Sequence, residues 1–120
     1  MKFIVSSSEL QKALQTVSGV ISNSQSRPIL ENFLFEIEKD ILNITASDGE
    51  TTLITSLEVK SDVEGKIAVP AKIFQEFVKT YGDQPLTLSV KDAEDGNGKL
   101  LEILDEKDNF AVALDHAEDY

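Results

Sequence analysis

The chain has 120 residues, 41% of them hydrophobic, which is one domain's worth and enough for a single core. It carries no cysteine, which excludes a disulfide framework and any cysteine-based zinc site, and no apolar run approaches the roughly 20 residues that span a bilayer. Its 22 acids against 11 bases give a net charge of −11, which opposes binding to a phosphate backbone unless the bases are gathered in one place.

Residues 2–5 read as a short apolar strand, too brief for the apolar stretch of a signal peptide, so the mature chain is expected to begin at Met1 inside that strand. Ser8 reads as a helix N-cap with Gln11 as its capping-box partner. Leu10, Ala13, Leu14, Val17 and Ile21 follow at helical spacing and predict one amphipathic helix. The polar run 22–27 and Pro28 read as the loop that closes it. Period-two alternation takes over in three runs: Phe33, Phe35 and Ile37, then Leu42, Ile44 and Ala46, then Leu53, Leu57 and Val59. Lys39-Asp40 and Asp48-Gly49 sit between them as tight turns.

The order then repeats. Residues 66–69 echo residues 2–5, Pro70 suits the first helical position, and Gly82 suits the helix end. Ile73, Phe74, Phe77, Val78 and Tyr81 form the apolar stripe between them. Leu86, Leu88 and Val90 alternate, as do Leu101 and Ile103, and then Phe110, Val112 and Leu114, with turns at 92–98 and 107–109. The pattern predicts an α+β fold of two β-α-β-β-β copies, residues 1–59 and 65–115, with both helices side by side on one face of the sheet that the copies form together.

Charge is distributed unevenly over this frame. No acid occurs in residues 10–30. The first helix turns Lys12, Gln15, Thr16 and Gly19 away from its apolar stripe, the second turns Lys72, Gln75 and Lys79, and the loop adds Arg27. Residues 8–30 and 70–82 hold four bases and two acids, a local +2 that leaves −13 for the rest. Lys12, Gln15, Arg27, Lys72 and Lys79 are therefore candidates for loose, sequence-blind contact with phosphates. The plainer alternative is two solvated helices with no such role. Few aromatic residues point outward, which argues against base stacking on single strands.

Other chemistry finds little support. His116 adjoins Asp115 but no nucleophile or strained turn accompanies them. The acidic run 92–98 does not match calcium-loop spacing and reads as a solvated hairpin turn. Asp48 and Glu50 are close, yet nothing places a substrate between them. No catalytic residue, metal site or cofactor is expected. An acidic protein-interaction module with no nucleic-acid role, working through exposed sheet edges, stays open beside the phosphate-contact reading. A carboxylate-based hydrolase would need a cleft with shifted carboxyl groups.

Met1-Lys2-Phe3-x-Val5, Leu14-Gln15-x-Val17-Ser18-Gly19, Pro28-Ile29-Leu30-x-Asn32, Leu42-x-Ile44-Thr45-Ala46-Ser47-Asp48-x-Glu50, Val69-Pro70-Ala71-Lys72-x-Phe74 and Phe110-x-Val112 occur in order along the whole chain. In order and spacing they resemble the opening domain of the bacterial replicative sliding clamp, the beta subunit of the DNA polymerase III holoenzyme. That resemblance implies the DNA-clamp fold, with residues 1–120 as the first of three domains in a longer subunit. Two subunits would close head to tail into a homodimeric six-domain ring around duplex DNA, helices lining the pore and sheets forming the outer wall. It implies a cytoplasmic processivity factor, an accessory subunit and not an enzyme. The full-length protein would meet the polymerase and the clamp loader, through a pocket between later domains. It also implies that the last strand meets the second subunit, which makes Phe110 and Val112 interface candidates. Filling this domain's own core is the alternative for both. One departure stands out: the family's basic contact in the loop after the first helix falls on Ser24 here, so that either Arg27, three residues on, takes over the contact or the contact is absent.

Overall fold

Each strand-rich unit is led by a strand and a helix. In the computed structural model, β1 (Lys2–Ser6) runs into α1 (Ser7–Val17), which is followed by 3-10 turns at Ser18–Val20 and Pro28–Glu31. The meander β2 (Asn32–Glu38), β3 (Ile41–Ser47) and β4 (Thr52–Glu58) comes next. A two-residue strand, β5 (Lys60–Ser61), precedes β6 (Gly65–Pro70) and α2 (Ala71–Val78). The second meander is β7 (Pro85–Asp92), β8 (Lys99–Leu104) and β9 (Asn109–Ala113), and a 3-10 turn at Ala117–Asp119 ends the chain. The structure describes residues 1–21, 28–93, 98–105 and 109–120, so the expected loop at 22–27 and most of the turns at 92–98 and 107–109 lie outside the described residues.

The strands divide between two antiparallel sheets where one was expected: β5-β1-β7-β8-β9 and β4-β3-β2-β6. The opening strands are exchanged between units. β1 pairs with β7 of the second unit, Phe3 opposite Leu88 and Val5 opposite Leu86. β6 pairs with β2 of the first, Phe33 opposite Val69 and Phe35 opposite Ile67. Outside the named strands, one isolated bridge, Ala68 to Asp115, is present among the described residues. Alternation tells which face of a strand is apolar but not which edge finds which partner, so one sheet and two give the same pattern.

The helix ends also shift. Ser6, not Ser8, caps α1: its backbone is extended (φ −66°, ψ 129°) and its Oγ accepts from the Glu9 amide at 3.4 Å. Ser8 donates to Asp83 Oδ1 at 2.9 Å. Gln11 does not close a capping box, because its Nε2 donates to the carbonyls of Val78 (2.9 Å) and Tyr81 (3.3 Å) at the end of α2. The α-helix stops at Val17, leaving Ile21 half-buried beyond the 3-10 turn that follows. Pro70 occupies the N-cap of α2 and not its first turn, while Gly82 lies past the helix and accepts from the Ser7 hydroxyl. Ile73, expected in the apolar stripe, is 44% exposed, since the helix seats Ala71, Phe74 and Val78 inward.

The core forms between the two sheets and the helices. Phe33, Phe35, Leu42, Ile44, Leu86 and Leu88 meet Leu10, Leu14, Val17, Phe74 and Val78 in one buried cluster. Phe74 stands edge-to-face on Phe35, ring centres 5.5 Å apart at 83°. α1 packs on β3 and β4, α2 on β2 and β6, and the helices touch each other. Two helices in contact with one another and with the same sheet lie side by side on one face of it. They are antiparallel, because Gln11 near the start of α1 reaches the end of α2.

The hairpin turns follow their residues. Lys39 (φ 51°) and Asp40 (φ 61°) both adopt the left-handed conformation of a type I′ turn. Asp40 Oδ1 accepts from the Ser61 amide (3.0 Å) and hydroxyl (2.8 Å), and these bonds hold its carboxyl below the ordinary value. Asp48 Oδ1 accepts from the amides of Thr51 (2.7 Å) and Glu50 (2.9 Å), with the same effect. Asp48 and Glu50 are thus parts of a turn.

Candidate nucleic-acid interface

A shallow groove runs between the helices, lined by Gln11, Leu14 and Gln15 on one side and Gln75, Val78 and Lys79 on the other. The fold therefore brings Gln15 and Lys79 to a common groove, although 64 residues separate them in sequence. Lys12 is exposed on α1, and Lys72 is exposed in the first turn of α2. Arg27 and Ser24 lie outside the described residues. Thr16 is exposed too, its hydroxyl returned to the Lys12 carbonyl at 2.9 Å.

Two lysines of the sheets are paired with carboxylates. Lys91 on β7 pairs with Glu102 at 3.0 Å, and the bond from Lys91 holds that carboxyl below its usual range. Lys66 on β6 pairs with Glu36 at 3.8 Å. Among the described residues, neither Lys12 nor Lys79 forms an ion pair with a carboxylate. A long, exposed, uncompensated cation can follow a phosphate chain without fixed geometry, which suits contact that carries no sequence information.

The remaining candidates separate into packing and surface. Val112 on β9 is buried in the chain's own core at 7% exposure. Phe110 is half-buried and stacks on Phe77 of α2, ring centres 3.3 Å apart at 20°. The strand that carries both is an edge of the five-stranded sheet. His116 and Glu118 approach to 3.7 Å, both well exposed. A cavity of about 860 Å³ opens between β1, the 39–41 turn and residues 83–85. Asp40, in its lining, is pushed down by the bonds from the Ser61 amide and hydroxyl, opposite to what a general acid needs. No group of three His, Cys, Asp or Glu side chains that could hold a metal occurs among the described residues.

Sequence reasoning missed Gln11, which ties the helices together.

The family model for the DNA polymerase III beta subunit, N-terminal domain, matches residues 1–120. The beta sliding clamp of Vibrio harveyi is 31% identical over 121 residues, an alignment covering 100% of this chain and 80% of that relative. That of Vibrio cholerae is 31% identical over 121 residues, covering 100% of this chain and 32% of the relative. The solved pol III beta of Caulobacter crescentus superposes with a TM-score of 0.88 at 30% identity, covering 100% of this chain and 32% of that one. The chain thus spans about a third of the length of the last two.

Proposed function

We propose that this chain, which belongs to the DNA polymerase III beta subunit family as its N-terminal domain, forms one segment of a ring that encircles duplex DNA and tethers the replicative polymerase to it. The observation that carries this reading is the antiparallel helix pair on one sheet face, with Lys12, Gln15, Lys72 and Lys79 outward and most of the carboxylates elsewhere. Enclosure supplies the attachment and the lysines supply weak contact, so a net charge of −11 is compatible with sliding on a polyanion. Arg27 serves as a fifth contact, in place of a basic residue at Ser24. The β9 edge, with Phe110 and Val112, meets the second subunit of the ring. The intact subunit contacts polymerase and clamp loader, performs no catalytic step and works in the cytoplasm. No helix among the described residues is long and apolar enough to cross a membrane.

Fluorescence anisotropy of the 120-residue chain with linear duplex DNA at physiological salt should show no tight binding. A sub-micromolar Kd would overturn enclosure as the source of attachment. In the intact subunit, changing Lys12, Lys72 and Lys79 together to Glu should lower processivity while leaving the unfolding midpoint in place. Undiminished processivity would remove this helix face from the DNA interface and favour a protein-interaction module.

A further inference from the structure

One patch on the outer face of the four-stranded sheet is buried, although that face is solvated elsewhere, as at Ile54, Glu36 and Lys66. Phe33, Phe35 and Ile37 of β2 point to the core, so Asn32 and Leu34 point away from it, yet they are only 2% and 9% exposed. Thr45 and Ala68, which flank Leu34 on β3 and β6, are buried as well. The end of the chain supplies the cover. It bridges Ala68 at Asp115, packs its 3-10 turn on β6, and reaches β3, where the Tyr120 hydroxyl donates to the Thr45 carbonyl at 3.3 Å.

Asn32 lies beneath this strap. Its Nδ2 donates one hydrogen to Asp115 Oδ2 at 2.9 Å and the other to the Ile29 carbonyl at 3.1 Å. Its Oδ1 has no partner among the described residues. Turning the amide over would aim that oxygen at a carboxylate and a carbonyl, so repulsion fixes the orientation. A single buried amino group therefore joins the Pro28–Glu31 turn, at the entry to β2, to a segment 83 residues later.

We infer that Asn32 is a positioning residue that couples the two: docking of residues 115–120 holds the 28–31 turn, and release of the strap loosens it. The coupling goes beyond the ring reading and does not depend on it. Amide hydrogen exchange on the 120-residue chain tests it, with Asp115→Ala as the variant, since Asp115 is at the surface and outside the core. Protection should fall about tenfold at residues 117–120 and also at residues 29–32, the scale of one charge-assisted hydrogen bond. Protection in β7 and β8 should not change. Asp115→Asn keeps an acceptor and should restore part of the protection at both places. Burial raises the Tyr120 phenol above the ordinary tyrosine value, so in Asp115→Ala its titration, followed by NMR of labelled tyrosine, should move back down. Faster exchange in the strap with an unchanged turn would overturn the coupling, and so would no change at either place.

Discussion

In the first unit the helix has 11 residues, a serine side chain at its N-cap and Glu9 in its first turn; in the second it has eight residues and a proline at the N-cap, with no side-chain hydrogen bond there. Neither length is stable alone in water, so both helices depend on what they pack against. α1 buries the aliphatic residues Leu10, Leu14 and Val17. α2 relies on aromatic rings, Phe74 against Phe35 and Phe77 against Phe110. The shorter, uncapped helix is thus held by the larger side chains. Local signals and tertiary packing substitute for one another between two units of the same order.

Truncating those side chains tests the contrast most severely. Phe74→Ala should cost about 4 kcal/mol and Leu14→Ala about 3 kcal/mol in urea unfolding. The reverse order would end the claim that α2 depends more on packing. Phe110→Ala removes a half-buried ring and its stack, for about 2 kcal/mol, and in the intact subunit should shift size-exclusion profiles toward monomer. A loss near 4 kcal/mol with an unweakened dimer would assign Phe110 to the core alone. Ser6→Ala should cost about 1 kcal/mol, and α2 offers no equivalent side chain to remove.

The smallest effect concerns the turns. Asp40 and Asp48 have carboxyl groups depressed below the ordinary value of about 4, so their bonds contribute at higher pH and are lost as pH falls through the lower folded values. The urea midpoint should therefore decline on acidification below about pH 4, and less in the Asp48→Asn variant. An equal decline in both would mean that Asp48 does not contribute to the acid sensitivity.

Much of the fold was legible because period-two runs such as Phe33, Phe35 and Ile37 have only one economical burial. The cap of α1 was not. Ser6, Ser7 and Ser8 are three capable caps in a row, and the choice turns on Ser7 bonding to Gly82 and Gln84 and Ser8 to Asp83. Ile73 kept the helical period yet lies outside the core, since the period does not fix how wide a stripe an eight-residue helix buries. For the candidate site, the gap in acidic residues over 10–30 pointed to α1, whereas α2 carries the exposed Glu76. The meeting of Gln15 with Lys79, and the bond from Gln11 to α2, depend on antiparallel packing that no local pattern encodes.

The exchanged opening strands also bear on how the chain is made. β1 precedes both of its neighbours in the sheet, the two-residue β5 at 60–61 and the longer partner at 85–89, which follows some 80 residues later. At ~5–20 residues per second that is a wait of roughly 4–16 s, during which Phe3 and Val5 lack their main partner. β6, by contrast, emerges after β2 and can dock at once. The strand that opens the chain is therefore among the last to be seated, and closing the five-stranded sheet is a late step shared by both units.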